Sequence, residues 1–388
     1  MKRVLLFGAS GSIGTSTLSV LRGHRERFRL AGLQVHRRTD ALADWIAEFD
    51  PERVVVTDAA ARREWAEAHP GPAERLLPEG APAAALLDIP ADVALNGILG
   101  FAGLAVTLAA LERGVDVALA NKESLVCGGD LVLARRRESG ARLLPVDSEH
   151  AALFQLLEGR SASQVRRAWL TASGGPFLDR RPEELAGVTP AEALRHPTWR
   201  MGPKITVDSA TMMNKGFEII EAARLFDLPA ERIEVLVHPD SRAHALVEFV
   251  DSSVLCQLAA PDMRQPIVQA LAWPERVAAD YGRLDMDAPL GIELAPLDAA
   301  RFPAVDLARE ALRRGGTAPL ALNASDEVAV AAFLDGRLPF PAIVSVAADI
   351  LADDPWPPAR TFAELAEADR RARELAAARV SSRRTAAH

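Results

Sequence analysis

Val4-Leu5-Leu6-Phe7-Gly8-Ala9-Ser10-Gly11-Ser12-Ile13-Gly14 stands close to the start of the chain. Four apolar residues ending in glycine fit a buried strand. The glycine-spaced turn that follows runs into a helix from Ser12, the setting in which backbone N–H groups and a helix N-terminus bind a pyrophosphate. The spacing is GxxGxxG, one residue away from the GxGxxG fingerprint, so the strand–turn–helix context matters more than the glycines alone. Gly8, Ser10, Gly11, Ser12 and Ile13 are the candidate contacts to a nucleotide.

Outward from this turn the first 146 residues alternate strand-like and helix-like segments. Phe28–Leu33, a helix near Ala41–Phe49, Arg53–Val56, Val93–Leu95, a helix after Phe101, Asp116–Leu119, a helix after Ser124 and Leu143–Val146 follow in turn. Such alternation predicts parallel strands with helical crossovers, a Rossmann-like doubly wound α/β domain over residues 1–146. The apolar run before Gly8 is too short for the core of a secretory signal. Val93 to Leu111 is uncharged and near membrane-spanning length, but Asn96, Gly97, Gly100 and Gly103 divide it into strand, loop and helix.

From residue 147 to 274 the rhythm is less regular, with strands such as Ile233–Val237 and Ala245–Val250 between Ser-, Gly- and Pro-rich loops. This predicts an α+β domain for substrate and metal. Residues 275–302, with several prolines and little helical period, are expected to be a linker. Residues 303–388 are expected to form a C-terminal α-helical domain, with Asn323 or Ser325 capping a helix through Leu334. Thr361 and Glu364 have capping-box spacing ahead of a helix toward Val380, followed by a frayed tail.

The 388 residues are 49% apolar and 25% charged, values of an ordinary globular enzyme of two or three domains. A formal net charge of −8 argues against a general nucleic-acid binder. Two cysteines, Cys127 and Cys256, form no CxxC pair, so neither a disulfide framework nor a thiolate zinc site is expected, and a reducing cytoplasm suits the chain.

After the second strand stands His36-Arg37-Arg38, where an NAD binder usually has an acidic residue for the ribose hydroxyls. Arg37 and Arg38 suit a 2′-phosphate, which favours NADPH over NADH. The chain has only four lysines and four asparagines, yet the pairs Asn121-Lys122 and Asn214-Lys215 occur. A compact ammonium is therefore the required group at these places, not merely a positive charge.

Asp147-Ser148-Glu149 follows an apolar strand, and in an extended segment the two carboxylates face one way, toward one cation. Lys204 to Glu218 is expected to begin as a strand and become a helix, with Asn214 and Glu218 on one face and Lys215 beside them. Ser209, Asn214 and Lys215 make a phosphate cradle, and Glu218 is a third carboxylate for the cation. Three hard oxygen ligands suggest Mg²⁺ or Mn²⁺. The loop Thr171–Phe177 presents Ser173 and backbone N–H groups to an anion. The segment from His196 to Gly202, with Trp199 and Met201, reads as a lid that excludes water.

These motifs together resemble the 1-deoxy-D-xylulose 5-phosphate reductoisomerase family over nearly the whole chain. The landmarks are Gly11–Gly14, Ala120–Ser124, Pro145–His150, Ala172–Phe177, His196-Pro197, Val207–Gly216 and Trp273-Pro274. The resemblance implies rearrangement of 1-deoxy-D-xylulose 5-phosphate and its reduction by NADPH to 2-C-methyl-D-erythritol 4-phosphate, by a homodimer with a C-terminal helical bundle. It implies Asp147, Glu149 and Glu218 at the metal and Lys122 at substrate oxygens. Glu149 is then the proton acceptor, and Ser148, Ser173, Ser209, Asn214 and Lys215 lie near the phosphate. His196 and Trp199 close over the substrate, and Asn121, Glu123 and Gly202 lie at the cofactor. The family usually has Thr at Ser10, a Gly-Lys/Arg-Asn type segment at His36-Arg37-Arg38, and a small polar residue at Arg200.

Two other functions compete with this one. A different two-domain NADPH dehydrogenase needs no set of three carboxylates, and a non-catalytic NADPH-binding protein binds the cofactor without turnover.

Overall fold

Hydrophobic periodicity at the start of the chain becomes a six-stranded parallel sheet. Its strands are β1 (Lys2–Phe7), β2 (Phe28–Val35), β3 (Arg53–Val56), β4 (Val93–Asn96), β5 (Asp116–Leu119) and β6 (Leu143–Pro145), in spatial order β3-β2-β1-β4-β5-β6. Each βα crossover returns the chain parallel to the strand before it, which yields this doubly wound order. Val4, Leu5, Leu6 and Phe7 are fully buried. At about 1.5–3 kcal/mol for each such side chain, β1 is the axis of the sheet's stability.

The structure is a computed structural model that describes residues 1–353 and 355–386. Two compact units divide the chain. The first holds residues 1–124, 132–151 and 262–282, and the second residues 125–131, 152–261 and 283–388. The segment after residue 261 thus adds the helix Arg264–Ala272 to the first unit, where it packs against the helix Ser12–Gly23 and against β5 and β6.

The second unit is built on a mostly antiparallel sheet. Its strands are β7 (Val165–Ala172), β8 (Ile233–Val237), β9 (Ala243–Phe249), β10 (Val254–Leu258) and β11 (Ala295–Pro296), in order β10-β9-β7-β8-β11. Only β7 and β8 run parallel. Leu153, Leu170, Ile219, Val235 and Val247 form part of its apolar core. The helices Ala304–Arg314, Ala318–Leu334, Ala342–Ala352 and Phe362–Ala386 make up the C-terminal bundle. Gly216 lets the helix Met213–Phe226 approach the first of these, since a Cβ there would lie 2.8 Å from Ala308 Cβ.

The local structure corrects four sequence expectations. Lys204–Val207 is not a strand. Gly202 N-caps a helix, Pro203–Thr211, whose first residue is a proline and whose Lys204 and Asp208 pair one turn apart; these outweigh the β-branched run Ile205-Thr206-Val207. Asp147–Glu149 is not extended either. The Asp147 carbonyl accepts from Ala151 N at 2.8 Å, so Glu149 lies in the first turn of the helix Ser148–Leu157.

Asn323 and Ser325 cap nothing. Thr317 precedes the helix, Pro319 sits in its first turn, and the Ser325 hydroxyl donates back to Ala321 O at 2.8 Å. The C-terminal helix continues to Ala386 where fraying was expected from Ser381, and residues 387–388 lie outside the described residues. The Thr361–Glu364 capping box is present, with Glu364 N donating to Thr361 Oγ1 at 3.2 Å. Among the described residues no helix is long and apolar enough to cross a membrane.

Candidate active site

In the first unit the glycine turn sits at the carboxyl end of β1, beside β4, where the strand order reverses. Ligands of doubly wound sheets bind in this crevice. Gly8 has φ +80°, and its N–H donates to Gln34 Oε1 at 2.9 Å. A Cβ on Gly14 would stand 2.3 Å from Gly8 O, so only glycine lets the helix pack this closely on the turn. That cradle is of the kind a pyrophosphate fills. Arg38 donates to the Ser10 carbonyl, and exposed Arg37 donates to Asp58 Oδ2 at 2.9 Å. Both residues follow β2; the Arg38 guanidinium stands at the glycine turn that leads into the helix beginning with Ser12 and Ile13, and the Arg37 guanidinium at Asp58.

Asn121 and Glu123 brace a neighbouring loop. Asn121 Nδ2 donates to Ile98 O at 2.8 Å and to Gly100 O at 3.0 Å, while Gly100 N donates to Glu123 Oε1 at 3.2 Å. This fixes the loop after β4, from which Leu99 projects 81% exposed. Neither Leu99 nor Gln34 is among the residues expected from the sequence. The glycines around Leu99 were the available signal. Lys122, buried, pairs with Asp147 at 3.0 Å, and the Ser148 hydroxyl donates to Glu149.

In the second unit Gly174 and Gly175 adopt φ +90° and +68°. A Cβ on Gly175 would lie 2.8 Å from Ser209 O, so this glycine lets the loop after β7 seat against the end of the helix Pro203–Thr211. Ser173 and Ser209 meet there around one imidazole: His196 Nε2 is 3.0 Å from Ser173 Oγ and 3.1 Å from Ser209 Oγ. His196 Nδ1 accepts from the backbone N–H of Thr198 and of Trp199. An acceptor nitrogen carries no proton, so the ring hydrogen is on Nε2. Burial holds the His196 pKa down at about 4. At neutral pH the ring is an uncharged N–H donor between two hydroxyls.

Met212, in the left-handed region at φ 62°, turns the chain from this helix into the helix Met213–Phe226. On that helix Asn214 and Lys215 both donate to Glu218. Lys215 and Glu218 are buried together, which neutralises two charges that could not be desolvated singly. Hydroxyls, an amide, an imidazole N–H and an ammonium are donors suited to a phosphate dianion. Trp199 and Met201 are half-buried on the loop that ends at Gly202.

Hard carboxylate oxygens, without cysteine, are the donor chemistry of Mg²⁺ or Mn²⁺. Asp147 and Glu149 at the start of one helix and Glu218 within another are carboxylates of that kind: Asp147 pairs with Lys122, Glu149 accepts from the Ser148 hydroxyl, and Glu218 pairs with Lys215.

A dinucleotide-type glycine turn in one unit and a phosphate-type donor cluster in the other define an oxidoreductase of phosphorylated substrates. Three family profiles match the chain: 1-deoxy-D-xylulose 5-phosphate reductoisomerase over residues 4–129, the C-terminal domain of that reductoisomerase over 143–226, and the DXP reductoisomerase C-terminal domain over 258–375. The chain belongs to the 1-deoxy-D-xylulose 5-phosphate reductoisomerase family. It is 47% identical to the 1-deoxy-D-xylulose 5-phosphate reductoisomerase of Chlorobaculum tepidum over 97% of this chain and 99% of that one. The Zymomonas mobilis reductoisomerase in complex with NADPH superimposes with a TM-score of 0.92 at 40% identity, covering 98% of this chain and 99% of that one. A DOX-P reductoisomerase in complex with NADPH, fosmidomycin and magnesium gives a TM-score of 0.91 at 36% identity, covering 98% of both chains.

Proposed function

We propose that this chain rearranges 1-deoxy-D-xylulose 5-phosphate and reduces the product to 2-C-methyl-D-erythritol 4-phosphate, with NADPH and a divalent cation, in non-mevalonate isoprenoid synthesis. The observation that carries the proposal is the convergence of Ser173 and Ser209 on the Nε2–H of His196, on a chain with a nucleotide-type glycine turn. Family membership over nearly the full length supports the same activity.

Residues 147–274 supply most of the substrate and metal ligands, 1–146 most of the cofactor contacts, 275–302 link while adding β11 to the second sheet, and 303–388 form the helical domain. NADPH lies on Gly8, Ser10, Gly11, Ser12 and Ile13, with Arg37 and Arg38 at its 2′-phosphate, and supplies the hydride. Asn121, Glu123 and Gly202 complete the proposed cofactor contacts, the first two through the loop they brace.

Asp147, Glu149 and Glu218 hold the cation, which supplies electrostatic stabilisation of oxyanion charge on the substrate. Lys122, a buried ammonium, donates to substrate oxygens. Glu149 accepts the hydroxyl proton whose removal accompanies cleavage of the carbon–carbon bond, and the Ser148 hydroxyl orients that carboxylate. Ser173, Ser209, Asn214 and Lys215 bind the phosphate, and His196 adds one neutral donor. The loop carrying His196 and Trp199 covers the substrate and excludes water, which strengthens every charge interaction beneath it.

Two further properties belong to the proposal. β10 is an edge strand of the second sheet, and Val250, Val254 and Leu255 are exposed on or beside it. Edges of this kind pair with another chain, so we assign the homodimer contact to this strand. The cytoplasm is the compartment that fits two free cysteines.

The test is NADPH oxidation by the purified protein with 1-deoxy-D-xylulose 5-phosphate, in Mg²⁺ or Mn²⁺ and after chelation, with the product identified. Cation-dependent oxidation yielding the branched polyol phosphate is expected. Oxidation that persists after complete chelation favours a different two-domain dehydrogenase, and cofactor binding without turnover favours a non-catalytic protein.

A further inference from the structure

One charge cluster beside the phosphate donors, its two carboxylates buried and its ammonium 30% exposed, takes no part in the reaction above. Lys204, in the first turn of the helix Pro203–Thr211, donates to Asp208 Oδ2 at 2.6 Å and to Asp326 Oδ2 at 2.8 Å. Asp326 comes from the helix Ala318–Leu334 of the C-terminal bundle. Asp208 is 3% exposed and Asp326 0%. The ammonium also lies 5.0 Å from the centre of the Phe217 ring. The other oxygen of each carboxyl, Asp208 Oδ1 and Asp326 Oδ1, is buried and has no hydrogen-bond partner.

Two ionised carboxylates beside one ammonium leave an excess negative charge in the interior, together with two acceptors that no donor reaches. Both are costly where water is excluded. One proton removes both defects, since it cancels the excess charge and supplies the missing donor. We propose that Asp208 keeps a proton that it shares with Asp326, and that the neutral cluster Lys204–Asp208–Asp326 is a positioning device that ties the phosphate-binding end of the helix Pro203–Thr211 to the C-terminal bundle. The proposal rests on Ser209, the next residue after Asp208, being a phosphate ligand.

The local electrostatics agree with it. Burial first, and then the charge of Asp326, push the Asp208 carboxyl well above the usual carboxylate range, and Lys204 offsets this only in part. Lys204 on the same helix and Asp326 on the bundle helix are the charged groups that act on Asp208; the helix Met213–Phe226 turns the uncharged ring of Phe217 toward the ammonium. Loss of the proton at high pH places a net negative charge one residue from Ser209 and loosens the tie to the bundle. Both effects oppose binding of a dianion without touching the reacting carbons, so KM bears the change and kcat does not.

The experiment uses the full-length protein in two ways. Infrared spectroscopy at neutral pH should show the carbonyl band of a buried protonated carboxyl in the wild type and its loss in Asp208→Asn. Steady-state kinetics with the ketose phosphate, NADPH and Mg²⁺ should show wild-type KM rising at least about tenfold on an alkaline limb at steady kcat. Asp208→Asn can still donate to Asp326 and cannot ionise. It should keep its neutral-pH KM within about threefold and lose the limb, whereas Asp208→Ala should raise KM at every pH. Absence of the band from the wild type, or an unchanged alkaline limb in Asp208→Asn, overturns the proposal. A protein that shows the band but never turns over the ketose phosphate disproves the reaction assigned above and leaves the shared proton standing, so the two failures are distinguishable.

Discussion

The ammonium of Lys215 donates to the carboxylate of Glu218 one turn further along the same helix, and the two side chains are 3% and 1% exposed. Removing either partner alone leaves a buried charge without compensation, at a cost of about 3–5 kcal/mol, so truncation to alanine mixes folding with function.

An isosteric change separates them. Glu218→Gln keeps the shape and the acceptor for Lys215 while withdrawing the negative charge from the cation. Turnover should fall about 10²–10³-fold or more, with NADPH affinity within a few fold of wild type. Stopped-flow reduction and fluorescence titration of the cofactor read the two quantities, and wild-type-like rates contradict the metal assignment.

The tautomer of His196 sets a pH dependence. Its folded pKa of about 4 lies below the ordinary histidine value of 6.5, because the ring is buried neutral. The unfolded chain therefore takes up a proton before the folded chain does as the pH falls. The stability contributed by the neutral ring is fully present above pH 6.5 and is lost progressively toward pH 4. Thermal unfolding of the wild type and of His196→Gln across this range should show the wild type losing its advantage as the pH falls. A pH-independent difference contradicts a depressed pKa.

Arg37 and Arg38 stand at the carboxyl end of β2, one at Asp58 and one over the Ser10 carbonyl. Charge-assisted bonds to a 2′-phosphate are worth about 1.5–3 kcal/mol. Arg37→Ala with Arg38→Ala should weaken NADPH at least about tenfold and NADH far less, by calorimetric titration. Equal weakening of both cofactors removes the 2′-phosphate contact.

Gly14 packs against the carbonyl of Gly8 with no room for a Cβ. Gly14→Ala should displace the turn and cost at least about tenfold in NADPH affinity, because backbone N–H groups hold the pyrophosphate. Unchanged affinity would place the nucleotide elsewhere.

Much of the first unit was legible because strands buried on both faces leave continuous apolar runs, and because the turn at Gly8 accepts little besides glycine. Asn214, Lys215 and Glu218 were legible as one helical face because their spacing fixes it. The helix Pro203–Thr211 was not, since Ile205-Thr206-Val207 has strand propensity and the opposing signal, the tie from Lys204 to Asp326, comes from a residue 122 positions away. Leu99 was missed because an exposed apolar residue in a glycine loop has no periodicity. The return of residues 262–282 to the first unit was hidden for a similar reason: the helix Arg264–Ala272 packs on β5 and β6 through contacts distant in sequence.

The proposed function requires Asp147, Glu149 and Glu218 to hold one divalent cation. Mn²⁺ binding followed by electron paramagnetic resonance tests it without turnover, in the wild type and in Asp147→Asn, Glu149→Gln and Glu218→Gln, each checked for folding by circular dichroism. One site per chain in the wild type and its loss in all three folded variants is the predicted result. Wild-type Mn²⁺ affinity in any one of them would contradict it.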